Sequence, residues 1–278
     1  MSDSQGRAGE GEGDSEGEGE SGDQLTETLQ RTVDEGVMRL TRSWPSLLTT
    51  GLVGGADVAV GVFALYIVRE ASHNELVASL AFGIGFIALT LASSELFTEN
   101  FLVPVAAVVA RKATALSVGR LWAGTLVMNL IGGWLVMGLI SSGFPRLGQV
   151  AVEVGKVYPG IGIGWRSMSG AILGGAVITL MTWMERSTES VPAKLVAAVA
   201  AAFVLAAAPL NHVIVVSLEM FGALQHGAPF GYLDWLAVAG WYTLGNLIGG
   251  LGLVTGLRLI QVSDRIDDER RSNRQEAR

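Results

Sequence analysis

The chain has 278 residues, half of them apolar, 16% charged and none of them cysteine, with a mean hydropathy of +0.44. That balance argues against an ordinary soluble enzyme domain, and the missing thiols exclude disulfides, thiolate nucleophiles and thiolate metal sites. The net charge of −7 is local: residues 1–23 hold eight acids and one base, while residues 24–278 carry 18 of each, so no basic surface for nucleic acid is expected.

In chain order, residues 1–23 alternate Gly with Glu or Asp, lack an apolar run and read as a disordered acidic tail. They are acidic rather than basic and apolar, so they do not read as a signal peptide. Residues 24–43 place Leu25, Leu29, Val33, Val37 and Leu40 at helical spacing between charges, the pattern of an amphipathic helix lying on a membrane face. Packing there is the simpler role and gating the alternative.

Residues 44–261 then read as a transport domain. Pro45–Val68 is apolar apart from Asp57, Leu121–Ile140 and Trp235–Leu257 carry no charge, and Met168–Met184 is rich in small side chains. A bilayer core takes about 20 helical residues, so these four are full spans. Two segments are interrupted instead. Leu76–Ala92 ends in Ser-Ser-Glu-Leu-Phe-Thr-Glu-Asn before Phe101–Ala110 resumes, and Leu195–Leu210 is cut by Asn211-His212 before Val213–Leu224, which contains Glu219. Pro104 and Pro209 sit near these breaks and disfavour continuous helices. Irregular backbone at membrane depth is tolerated only where protein or a watery path surrounds it. Residues 262–278 form a polar tail.

Two echoes organise these segments. Asn-Leu-Ile-Gly-Gly occurs at Asn129–Gly133 and again at Asn246–Gly250, 117 residues later, and Leu52-Val-Gly-Gly-Ala returns as Ile172-Leu-Gly-Gly-Ala after 120. Together they imply two inverted three-span halves with broken second and fifth helices, and a functional site between the halves. Fourteen Lys and Arg flank the spans on the side of the termini, against Arg69, Arg146, Lys156 and Arg166 on the other. This asymmetry predicts both termini in the cytoplasm.

Chemistry concentrates at the breaks. His212 interrupts an apolar stretch, where an ionisable group is costly and functional by default, and its ordinary pKa makes proton exchange accessible. Thr98 lies in the first break and offers a hydroxyl; Asn246 and Asn129 offer amides to unwound backbone. Glu99 and Glu219 are 120 residues apart and read as approximate repeat partners, serving to pair, cap or stay protonated, with a cation path as their functional alternative. His73 and His226 fall in loops, and three separated histidines make no metal site.

At these residues the chain resembles the formate/nitrite transporter family, in a divergent branch. The family's loop motif is matched by Leu96-Phe97-Thr98, its central histidine by Asn211-His212, and its sixth-span motif by Gly245-Asn-Leu-Ile-Gly-Gly. The resemblance implies an aquaporin-like, all-α, six-span protein of the plasma membrane that assembles as a homopentamer. It implies passage of a small monovalent anion of the formate, nitrite or hydrosulfide class, linked to a proton through His212, with no cofactor and no catalysis. Thr98, Asn246 and Asn211 would line the path, Leu96 and Phe97 the cytoplasmic slit, and Phe82, Phe86 and Leu205 the outer constriction. Lys156 and Arg166 are both candidates for the outer basic residue. Asn211 stands where the family commonly has an acid, and Glu99 where formate channels have a small residue. The alternatives from the residues alone are an aquaporin-like neutral-solute channel, which lacks Asn-Pro-Ala at the breaks, and a membrane sensor or enzyme.

Overall fold

The computed structural model describes residues 12–208 and 210–263, with side chains from Leu25 onward. Residues 1–11 and 264–278, and with them much of both expected tails, lie outside the described residues, as does Pro209.

Helix α1 (Glu12–Thr41) begins inside the segment expected to be disordered. Further along, Leu29, Val33 and Leu40 are buried against Leu102, Ala106 and Ala107. The apolar stripe of α1 thus docks onto the segment that follows the first break.

Among the described residues, five stretches are long and apolar enough to cross a membrane: α2 (Trp44–Ser72), the joined pair α3 (Glu75–Ala81) and α4 (Gly83–Ala92), α6 (Ala115–Gly143), α9 (Trp165–Arg186), and Tyr232–Gln261. The last comprises α12 (Tyr232–Leu247), a π-helical stretch Ile248–Gly256 and α13 (Leu257–Gln261). The sequence pattern predicted one unbroken helix there, because hydropathy does not register the widened turns of a π-helix. Thr255 in that stretch donates to the Phe101 carbonyl at 2.9 Å.

Both interruptions are present. After α4 the chain turns through Ser93 in the left-handed region (φ 54°), passes a 3-10 turn at Phe97–Phe101 and resumes as α5 (Val103–Val109), with Pro104 in the first turn, where its missing N–H costs nothing. On the other side, α10 (Val191–Ala207) and α11 (Val213–Gln225) are separated by residues 208–212. Between α6 and α9, where the sequence reading placed no span, α7 (Gly148–Gly155) and α8 (Val157–Ile161) bury Val150, Ala151, Val154 and Tyr158.

The echoed glycines explain themselves by packing. A Cβ on Gly132 of α6 would collide with the Leu52 carbonyl of α2, and one on Gly249 with the Ile172 carbonyl of α9. Each Asn-Leu-Ile-Gly-Gly therefore lies directly on a Leu-Val-Gly-Gly-Ala or Ile-Leu-Gly-Gly-Ala backbone. Only small residues permit that approach.

Candidate functional site

Two asparagines hold the breaks in place. Asn129 Oδ1 accepts from the Phe97 N–H at 2.8 Å, and its amide nitrogen donates to the Gly51 and Glu95 carbonyls at 2.7 and 2.8 Å. Asn246 repeats the arrangement: Oδ1 accepts from Val213 N–H at 2.9 Å, and Nδ2 donates to the Ala171 and Asn211 carbonyls at 2.7 and 3.0 Å. Both side chains are buried. Backbone freed by a helix break must find partners inside the protein, and each asparagine supplies three. Asn246, read from sequence as a path residue, is fully committed to this duty.

This matching sets Phe97 opposite Val213 and Glu95 opposite Asn211, an offset that pairs Glu99 with Val215. Glu99 and Glu219 therefore do not occupy equivalent positions, because the two breaks are out of step with the 120-residue echo. Thr98 is likewise not the counterpart of His212; it meets it instead. Its Oγ1 lies 2.7 Å from His212 Nε2, with both residues fully buried. His212 Nδ1 accepts from the Val215 N–H at 3.4 Å, capping α11. In the neutral ring this leaves the proton on Nε2, directed at Thr98 Oγ1. The Thr98 hydroxyl hydrogen is then free to point elsewhere.

The apolar residues expected at the two constrictions are all buried. Leu96 and Phe97 are buried, and Phe97 packs edge-on against Phe101 (4.9 Å between ring centroids), which in turn packs on Trp122 (5.6 Å). The Trp122 indole N–H is anchored on the Asn100 carbonyl at 2.8 Å. Phe82 and Phe86 are buried with 5.5 Å between their ring centroids, and Leu205 is buried with them in the main core.

Beyond these lie two cavities, near opposite ends of α2. The one on the α1 side, about 220 Å³, is lined by Arg39, Arg42, Glu99, Glu185, Arg186 and Lys194 among others. Arg39 is its centre: it bonds Glu35 at 2.8 Å and Asn100 at 3.0 Å, and pairs with Glu95 at 3.3 Å and Glu99 at 3.7 Å. Arg42 also pairs with Glu95. Burial works against the Arg39 charge, but Glu95, Glu99 and Glu35 outweigh it and hold the guanidinium protonated. Burial opposes the Glu35 carboxylate in the same way, and Arg39, Arg186 and Arg42 reverse that and set its pKa below the ordinary carboxyl range. The cavity at the far end, about 180 Å³, is lined by Arg69, Glu75, Glu153, Tyr158, Leu205, Val215 and Glu219 among others.

Of the remaining candidates, Asn211 turns toward α9, donating to the Ser167 carbonyl at 2.8 Å. Lys156 and Arg166 are exposed and line neither cavity. The basic residue in the far cavity is Arg69. Sequence reasoning also missed Arg39, Arg42, Glu95 and Tyr158. The Glu35–Arg39 spacing of four was a local signal; Tyr158, on a short helix outside the expected spans, gave none.

Comparison with known proteins places this fold in a family. The sequence profile described as Formate/nitrite transporter matches residues 26–260. The chain belongs to that family. Its relatives include the formate channel BtFdhC of Bacillus thuringiensis, 26% identical over 242 residues covering 80% of this chain and 89% of the relative. Another is the inner membrane protein YfdC of Escherichia coli, 26% identical over 238 residues, with 82% and 74% covered. Among solved structures, an FNT family ion channel superposes with a TM-score of 0.73 at 19% identity, covering 83% of this chain and 96% of that one. A pentameric formate channel with formate bound gives 0.68 at 17% identity, covering 79% and 97%. This formate/nitrite transporter family member is thus a multi-pass membrane transport protein of channel fold, and its family transports rather than catalyses.

Proposed function

We propose that the protein is a channel for small monovalent anions of the formate, nitrite and hydrosulfide class, in which α10 and α11 together complete a sixth span. It assembles as a homopentamer in the plasma membrane with α1 and both termini in the cytoplasm. The observation that carries this reading is the Thr98–His212 pair at the meeting of the two breaks. Because the imidazole N–H is spent on Thr98 Oγ1, the threonine hydroxyl is left as a donor to an oxyanion. Leu96 and Phe97 close the path on one side, and Phe82, Phe86 and Leu205 on the other.

Moving a bare charge through those apolar collars would cost several kcal/mol or more. A weak-acid anion avoids this by taking up a proton before the dry stretch, crossing as the neutral acid, and releasing the proton beyond it. His212 supports the crossing as a polar station that can exchange a proton there.

Uptake of formate, nitrite, hydrosulfide, acetate, chloride and glycerol by vesicles holding the purified protein, measured across pH, tests the proposal. Formate and nitrite uptake that rises as pH falls, with chloride and glycerol excluded, is the expected result. Glycerol uptake without formate uptake would replace it with a neutral-solute channel.

A further inference from the structure

Resting on that reading, we propose that Glu219 is the proton-donating and anion-selecting group of the far vestibule, with Tyr158 holding its carboxyl in place. Glu219 is buried in α11, one helical turn beyond Val215, whose N–H holds His212. It lines the same 180 Å³ cavity as Leu205, so it stands where an entering solute meets the outer collar. Its Oε2 accepts from the Tyr158 hydroxyl, and its backbone carbonyl accepts from the Tyr66 hydroxyl at 3.3 Å.

Among the described residues no cation forms an ion pair with this carboxyl, although the Arg69 charge acts on it from a distance. Arg69 shares the cavity but pairs with Glu75 at 2.9 Å. The other groups around it are Glu153 on α7, Tyr66 on α2, and Tyr242 on α12, whose ring packs 6.3 Å from that of Tyr158. Arg120 of α6, Lys194 of α10, Asp234 of α12 and Lys156 at the junction of α7 and α8 do not line this cavity. With Glu75, Glu153 and Glu219 facing a single arginine, the vestibule does not gather anions by positive charge. Glu99, by contrast, faces the other cavity and is held by Arg39.

A buried carboxyl without an ion-pair partner on an anion path has one productive state, the protonated acid. The step is a proton transfer: the O–H bond of the Glu219 acid breaks, the proton joins a formate oxygen, and neutral formic acid leaves past Leu205. The carboxylate that remains accepts Tyr158 O–H and is reprotonated from vestibule water. A strong-acid anion such as nitrate or chloride cannot take the proton and reaches the apolar collar still charged. Selection among anions therefore follows their basicity.

The test is formate and nitrate uptake by vesicles holding the full chain, for wild type, Glu219→Gln, Glu219→Asp and Tyr158→Phe, across pH, with assembly checked by size. Glu219→Gln keeps the bond to Tyr158 and carries no proton to give. It is expected to lower formate uptake at acidic pH at least fivefold and to flatten the pH profile. Glu219→Asp restores the pH dependence, and Tyr158→Phe, which deletes the donor to the ionised carboxylate, moves the profile toward higher pH. Wild-type formate uptake with an unchanged Glu219→Gln profile overturns this inference alone. Absence of wild-type uptake of any anion overturns the channel reading and this inference with it.

Discussion

Replacing Asn246 by Leu deletes the amide that holds the second break while keeping about the same volume. The Val213 N–H loses its Asn246 partner, and the Ala171 and Asn211 carbonyls lose one donor each. A buried unsatisfied donor costs about 1–3 kcal/mol, and each under-served carbonyl adds a smaller amount. The loss comes to about 2–4 kcal/mol. Asn129→Leu strands the Phe97 N–H and deprives the Gly51 and Glu95 carbonyls in the same way, so it should cost a similar amount. The assay is thermal unfolding of the detergent-solubilised protein, followed by formate flux on whatever assembles. Both variants should unfold at least about 5 °C below wild type, on the scale of a few degrees per kcal/mol. If Asn246→Leu kept wild-type stability and lost only flux, the amide would be serving the solute rather than the backbone. The scaffold argument would then be wrong.

Three other perturbations follow from the same geometry. Arg39→Met leaves Glu95 and Glu99 buried with no guanidinium from α1, at a cost of about 3–5 kcal/mol; limited proteolysis should cut α1 faster, and unchanged protection would contradict the clamp. Glu35 has its pKa lowered from 4.5, so its contribution to docking α1 is complete above that value and fades only as pH falls below it; release of α1 near neutral pH would point to another group. Gly249→Ala drives a methyl into the Ile172 carbonyl, and the expected result, read by size and thermal unfolding, is loss of assembly, whereas Gly160→Ala, with open space around it, should be silent.

How much of this was legible follows from where the signal lies. Hydropathy and the two echoes located the spans and both breaks, because apolar runs and glycine contacts are local in sequence. His212 and Thr98 were visible as polar residues at the breaks. Their meeting came through motif resemblance, since no spacing rule joins residues 114 apart. Glu99 and Glu219, read as approximate repeat partners, stand four residues out of register, because the echo fixes the register of the spans and not of the irregular turns between them. Lys156 and Arg166, the sequence candidates for the outer basic role, are exposed and line neither cavity, whereas Arg69 reaches the far cavity from the end of α2. The π-helix and the short helices α7 and α8 depend on tertiary contacts and leave no period in the sequence. Arg39 was counted as a flanking charge, although four acidic or amide partners converge on it in the fold.

The central claim, that the Thr98–His212 pair is the polar station of a proton-linked anion path, is tested most directly by formate flux against pH in vesicles for wild type, His212→Phe and His212→Asn. Wild-type flux should rise as pH falls. His212→Phe fills the station and should lower flux at least tenfold at every pH, while His212→Asn, which keeps polarity but holds no proton, should lose most of the acid stimulation. Wild-type rates and an unchanged pH profile in both variants would contradict the claim.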